Sequence, residues 1–125
     1  MLEIDGYRHG HWSVVSVVGD LDLAGLPQFR SATGPLVNES EPRIVVDLTA
    51  LDLLDSSGLG ALLGLRRRVL RNGGEVRLVA PDDNVTALLH TVGFDRIFAI
   101  SPTLGDAIGE DPNPASGVDG DPADA

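Results

Sequence analysis

The chain reads as an α/β domain: a mixed, mostly parallel sheet of about five strands, opened by an N-terminal antiparallel hairpin and covered by about four helices. Three observations predict this. Short apolar or β-branched runs alternate with longer stretches whose apolar residues recur at helical spacing. Strands alternating with helices imply parallel pairing through right-handed crossovers. The first two strand candidates are separated only by a glycine-containing turn, Arg8-His9-Gly10, as in a hairpin.

The elements follow in order. Residues 2–7 form the first strand and residues 12–18, rich in β-branched side chains, the second. Residues 19–22 turn the chain. A helix starts near Leu26, with Leu26, Phe29, Thr33, Leu36 and Val37 on one apolar face. Gly34-Pro35 falls inside it. An interior proline removes a hydrogen bond and clashes with the carbonyl four residues earlier, at a cost of about 3 kcal/mol. A kink or early break is therefore expected near residues 32–34. Residues 43–48 are a continuous apolar run with a late acid, the mark of a strand buried on both faces. Asp52 reads as a solvated loop residue. The next helix lies within residues 55–71 and ends at Gly73-Gly74, where glycine accommodates a left-handed cap. Residues 75–80 are a strand, residues 81–92 a helix and residues 96–100 the last strand. Residues 102–108 form a short helix, with Ser101 as N-cap and Pro102 at the first helical position.

Composition bounds the function. The 125 residues fit one domain, and 42% hydrophobic content supports an ordinary core. There is no cysteine, hence no disulfide, thiolate metal site or cysteine nucleophile. Nineteen acids against nine bases, all arginine, give a net charge of −10. That balance argues against nucleic acid and anionic membrane as partners. The first residues lack an apolar signal region, and no run approaches the ~18 apolar residues of a membrane span, so a cytoplasmic protein is expected. Residues 109–125 hold Glu110, Asp111, Asp119, Asp121 and Asp124 with no base, three prolines and one branched apolar residue. Such a segment cannot bury enough surface to offset its ordering entropy. It reads as a disordered, solubilising acidic tail behind a domain spanning residues 1–108.

The most informative segment is Asp55-Ser56-Ser57-Gly58-Leu59-Gly60, between the apolar run at residues 44–48 and a helix. A serine at such a junction places its hydroxyl beside unpaired backbone N–H groups. It is either an N-cap or a hydroxyl held out for phosphorylation, where added negative charge rewrites a partner surface. At 100° per residue, Ser57, Gly60, Ala61 and Gly64 cluster on one side of the helix, and Leu59, Leu62, Leu63, Val69 and Leu70 on the other, facing the sheet. The small side runs to Arg68 and Arg71, and Arg66 falls on the apolar side. Two exposed helical glycines cost about 1 kcal/mol each relative to alanine. A partner approaching closely, or internal packing, would compensate. Asp20 and Asp22 are either turn-formers and caps or an acidic rim beside the serine. Asp55 either caps the helix or orients the partner.

Nothing in the sequence indicates an enzyme. The order around Ser56 is not that of the hydrolase elbow Gly-x-Ser-x-Gly, and no histidine is spaced for a triad. There is no phosphate loop and no lysine. His9-Gly10-His11 reads as a solvated turn, not a metal pair, and Arg66-Arg67-Arg68 with Arg71 as a solvated helix face. No cofactor and no metal are expected.

The junction also resembles that of the anti-sigma-factor antagonists, the single-domain members of the STAS group. Asp55-Ser56-Ser57-Gly58-Leu59-Gly60 lies between a Val-rich strand and a helix, as in that family. Gly19-Asp20-Leu21-Asp22 is similar to the family's Gly-Glu-(Leu/Ile)-Asp turn. Pro27, Arg30, Val45-Val46-Asp47-Leu48, Gly73-Gly74 and Val92-Gly93-Phe94 follow in register, so the likeness spans roughly residues 10 to 108. The Gly34-Pro35 pair departs from the family pattern. The resemblance implies a single STAS-like domain that binds an anti-sigma factor, itself a serine kinase, and so frees a sigma factor for stress-responsive transcription in bacteria. It implies Ser56, directly after the aspartate, as the phosphorylated hydroxyl, with Ser57 the second candidate. Phosphorylation would release the partner and a serine phosphatase would restore binding. The partner surface would comprise Asp20, Asp22, Asp55, Ser57, Gly58, Gly60, Ala61 and Gly64. STAS domains also serve as subunits of membrane lipid transport systems and as nucleotide-sensing modules. Pull-down of a transporter ATPase, or calorimetric titration with GTP and ATP, would identify these alternatives.

Overall fold

The computed structural model describes residues 1–81 and 83–109. The expected acidic tail lies outside the described residues, Gly109 apart. The elements run β1 (Leu2–His9), β2 (Trp12–Leu21), a 3-10 turn (Leu23–Gly25), α1 (Leu26–Val37), β3 (Arg43–Asp47), β4 (Leu51–Leu54), α2 (Ser56–Arg71), β5 (Glu75–Val79), α3 (Asn84–Thr91), a second 3-10 turn (Phe94–Arg96), β6 (Ala99–Ser101) and α4 (Leu104–Ala107).

The strands form one sheet in the order β1-β2-β3-β5-β6, with β4 alongside the end of β2. β1 and β2 are antiparallel and the other pairs parallel. Alternation along the strands sends side chains to two unequal layers. Val15, Val17, Ile44, Val46, Leu78 and Ala80 meet Phe29 of α1, Leu62, Leu65 and Val69 of α2 and Leu89 of α3 in the main core. Val14, Val45 and Val79 face the other way and meet Trp12 and Ala107 of α4. There two guanidinium groups lie over the Trp12 ring, Arg43 at 4.4 Å and Arg77 at 4.6 Å from its centroid.

Several elements differ from the reading of the sequence. β4 is a sixth strand and contains Asp52, read as a loop residue. Its pattern, buried at Leu51 and Leu54 and exposed at Asp52 and Leu53, is neither alternating nor continuous, so period-based reading has no purchase on it. β2 does not turn at Gly19 but continues to Leu21 through a shift in register between Gly19 and Asp20. Gly19 has φ +97°, and a Cβ there would lie 2.2 Å from the Met1 carbonyl oxygen, so glycine is required.

α1 runs unbroken through Gly34-Pro35 to Val37, so the early break does not occur. Pro35 sits in the last turn, so only one hydrogen bond near the natural end is lost. The α conformation before a proline is disfavoured by the preceding Cβ, and Gly34 has none. Phe29, Thr33 and Val37 hold the helix to the core, and the Thr33 hydroxyl donates to the Phe29 carbonyl at 2.9 Å.

The last strand begins at Ala99, not at residue 96, because Gly93 (φ +82°) opens a 3-10 turn that stacks Phe94 on Phe98 with ring centroids 5.3 Å apart. The last helix is capped by Thr103, whose hydroxyl accepts from the Asp106 N–H at 3.1 Å. Ser101 is instead spent in the sheet, its carbonyl accepting from the Ala80 N–H. α3 starts at Asn84 under an Asp83 cap.

Candidate functional site

β2 and β4 run parallel, so their C-terminal ends open on one rim of the sheet. Asp20 is paired in register with Leu53, and Leu21 with Leu54. Past the end of β2, the Asp22 carboxylate accepts from the Gly25 N–H at 3.1 Å and caps the 3-10 turn. The Met1 amino group lies 3.2 Å from the Asp20 carboxylate. Past the end of β4, the Asp55 carboxylate accepts from the Gly58 N–H at 2.9 Å. Asp55 is therefore the N-cap of α2, in place of Ser57 or Ser56.

Ser56 follows as the first helical residue and is exposed, while Ser57 is half-buried. The helix ladder begins with the Leu59 N–H on the Asp55 carbonyl. The Ser56 and Ser57 N–H groups have no acceptor among the described residues, as expected of a first helical turn. With the helix dipole they form a place where phosphate oxygens are welcome.

Two of the small residues turn inward. Gly58 is buried, and a Cβ there would stand 2.2 Å from the Leu21 carbonyl oxygen and 2.7 Å from Leu54 Cδ1. Ala61 is 8% exposed and belongs to the main core. Gly60 and Gly64 are different: a Cβ at either would meet nothing within 4 Å. The buried arc, Gly58, Ala61, Leu62, Leu65 and Val69, is thus rotated roughly a quarter turn from the arc of large apolar residues. Leu70, placed on the sheet-facing side by the sequence, is 47% exposed. The Leu21 backbone comes so close to the start of α2 that only glycine fits at position 58. Arg66 lies at the edge of the inner face, where its Nε donates to the Ile97 carbonyl at 3.1 Å.

Two residues absent from the sequence reading stand at the same rim. Leu23 is 69% exposed and Leu53 is 49% exposed, each beside acids of the rim. Nothing in a single sequence separates them from buried leucines, although Asp22-Leu23 and Asp52-Leu53 adjacency is a usable hint.

Elsewhere, His90 Nδ1 sits 3.0 Å from an Asp95 carboxylate oxygen, and Ser101 lines the same hollow of about 220 Å³. The His90 side chain is 65% exposed, so this pair closes the end of α3 in contact with water.

Among the described residues, a six-stranded sheet with three helices on one face, and a serine held at the tip of the second, define a small α/β module. The STAS domain family model matches residues 3–107, and the chain belongs to that family. It is similar to the anti-sigma-F factor antagonist RsfB of Mycobacterium tuberculosis, 29% identical over 102 residues that cover 80% of this chain and 81% of that one. It is similar to the anti-sigma-B factor antagonist of Staphylococcus aureus, 24% identical over 100 residues, 80% of this chain and 93% of that one. The crystal structure of an anti-sigma factor antagonist from Mycobacterium paratuberculosis superposes with a TM-score of 0.80 at 32% identity, covering 87% of this chain and 92% of that one. No described helix is long and apolar enough to cross a membrane.

Proposed function

We propose that this chain is an anti-sigma-factor antagonist whose binding is switched off by phosphorylation of Ser56. The anti-sigma factor is a serine kinase that docks on the rim of Asp20, Asp22, Leu23, Leu53 and Asp55 and on the open glycines of α2. It supplies the nucleotide and the catalytic base, and this chain supplies the hydroxyl. One observation carries the reading: Ser56 is the exposed first residue of α2, in the turn where two backbone N–H groups have no acceptor among the described residues. The antagonist names of the relatives at 29% and 32% identity support it.

The switch follows from charge. A phosphate adds about −1.5 to −2 charges. It would sit at the rim of Asp55, Asp20 and Asp22 and face whatever basic groups of the kinase are already matched to that rim. The helix N-terminus tolerates the new charge, so the domain stays folded while the interface loses its complementarity. A serine phosphatase returns the chain to its binding form.

The test is mass spectrometry of the peptide containing Ser56 and Ser57, taken from the chain purified from its own host, together with binding to the host's anti-sigma kinases. Phosphate is expected on Ser56. Ser56→Ala should bind and resist modification, and Ser56→Asp should bind about 100-fold more weakly, as a like-charge clash of a few kcal/mol dictates. Undiminished binding by Ser56→Asp would sink the switch.

A further inference from the structure

The fold carries −5 over residues 1–108, with 14 acids against 9 arginines. Even so, four of those arginines converge on one groove of about 440 Å³ between α1 and α2. Arg30 comes from α1, and Arg67, Arg68 and Arg71 from α2, over a floor that includes Gly60 and Gly64. None of the four is paired with an acid among the described residues; Arg68 donates only to the Gly64 carbonyl, at 3.3 Å. Clustering like charges without counter-ions is unfavourable in the free protein. The groove therefore favours an anionic occupant.

Its shape selects the kind of occupant. From Gly60 to Arg71 the groove follows α2 for about 16 Å, so a single small anion reaches only part of it. The open floor lets a backbone lie close to α2. Ser56, Gly60, Gly64, Arg67 and Arg71 fall within about 80° of arc on the helix, so the groove leads directly to the phosphorylation candidate. The outer face of α2 is thus polar along its length, acidic at the Ser56 end and basic at the Arg71 end.

We infer that this groove seats an acidic helix of the anti-sigma partner, antiparallel or parallel to α2, and that the two ends of opposite charge fix its register over Ser56. The identity of the protein carrying that helix rests on the antagonist reading; the acidic, elongated chemistry of the occupant does not.

The experiment therefore has two arms. In the first, the full chain is titrated with a synthetic helical peptide of about 16 residues whose glutamates recur every third and fourth position, followed by backbone amide shifts. Shifts should saturate at residues 60–71 and Arg30 and weaken about tenfold in Arg67→Ala/Arg71→Ala, while the glutamine version of the peptide moves nothing. Equal shifts with the glutamine peptide, shifts centred elsewhere, or displacement of the peptide by inorganic pyrophosphate would overturn the inference, the last by making the groove a phosphate site. In the second arm, Arg67→Glu/Arg71→Glu should slow association with the kinase about tenfold in a salt-sensitive way. Unchanged association overturns the partner helix, whereas failure of Ser56→Asp to weaken binding strikes only the switch. Both arginine variants sit on the solvent side of α2 and keep good helix formers, and circular dichroism checks that they fold.

Discussion

Gly58 and Gly60 are two residues apart, and the structure gives them opposite meanings. A methyl at Gly58 collides with the Leu21 carbonyl oxygen, so Gly58→Ala must push the start of α2 away from the sheet. It is expected to cost about 1–3 kcal/mol, as overpacking does, and to displace Ser56. At Gly60 nothing lies within 4 Å, so Gly60→Ala gains helix propensity and should stabilise the chain by up to about 1 kcal/mol. Urea titration of the two variants gives shifts of opposite sign if this account holds, and weaker partner binding by the stabilised Gly60→Ala is the mark of a floor that must stay low. Both glycines stand in the same six-residue motif, and the sequence assigns both to the partner surface. What separates them is the Leu21 backbone, which approaches only because β2 runs three residues further than its β-branched content suggests.

At the scale of the element, helices α1 and α2 show how far local rules carry. The Asp55 cap is legible as one of two options in the sequence, and the folded chain adopts it. Asp55→Ala should cost about 1 kcal/mol and fray the first turn, loosening Ser56 without touching its hydroxyl. The Gly34-Pro35 pair misleads local reading because proline's penalty depends on where the helix ends, two residues later. A paired test follows. Pro35→Ala should raise the melting temperature, by restoring one hydrogen bond, whereas Gly34→Ala with Pro35 retained should not, since its Cβ meets the proline ring. A melting temperature raised equally by both would show that Gly34 is not what admits the proline. The rotation of α2 is a further case. Large apolar residues mark the inner face of a helix only when the opposing layer stands at an ordinary distance. Here the end of β2 crowds Gly58, while Ala61 enters the main core and Leu70 turns out.

Across the whole molecule, the alternation of strands and helices was legible because each crossover announces itself by a change of period. β4 was not, being four residues whose pairing partners lie 32 to 33 positions away on β2. The two layers are also unequal. Three helices cover one face of the sheet, and the other is closed by the four residues of α4. Ala107 is 1% exposed at the centre of that thin layer. Ala107→Glu should therefore detach α4 and lower stability by about 2–4 kcal/mol, the range for burying an unpaired charge or losing the contact, seen as one earlier cooperative thermal transition.

The same thin layer contains the chain's one tryptophan. Trp12 is 6% exposed and in contact with the Arg43 and Arg77 guanidiniums, on the face of the sheet turned away from α1, α2 and Ser56. Its fluorescence is thus a built-in optical probe of the far side. Emission should move to longer wavelength when α4 lifts or the chain unfolds, and stay still when Ser56 gains a phosphate or a partner covers α2. Stability and signalling can therefore be followed in the same cuvette without a label, one by its light and the other by that light's indifference.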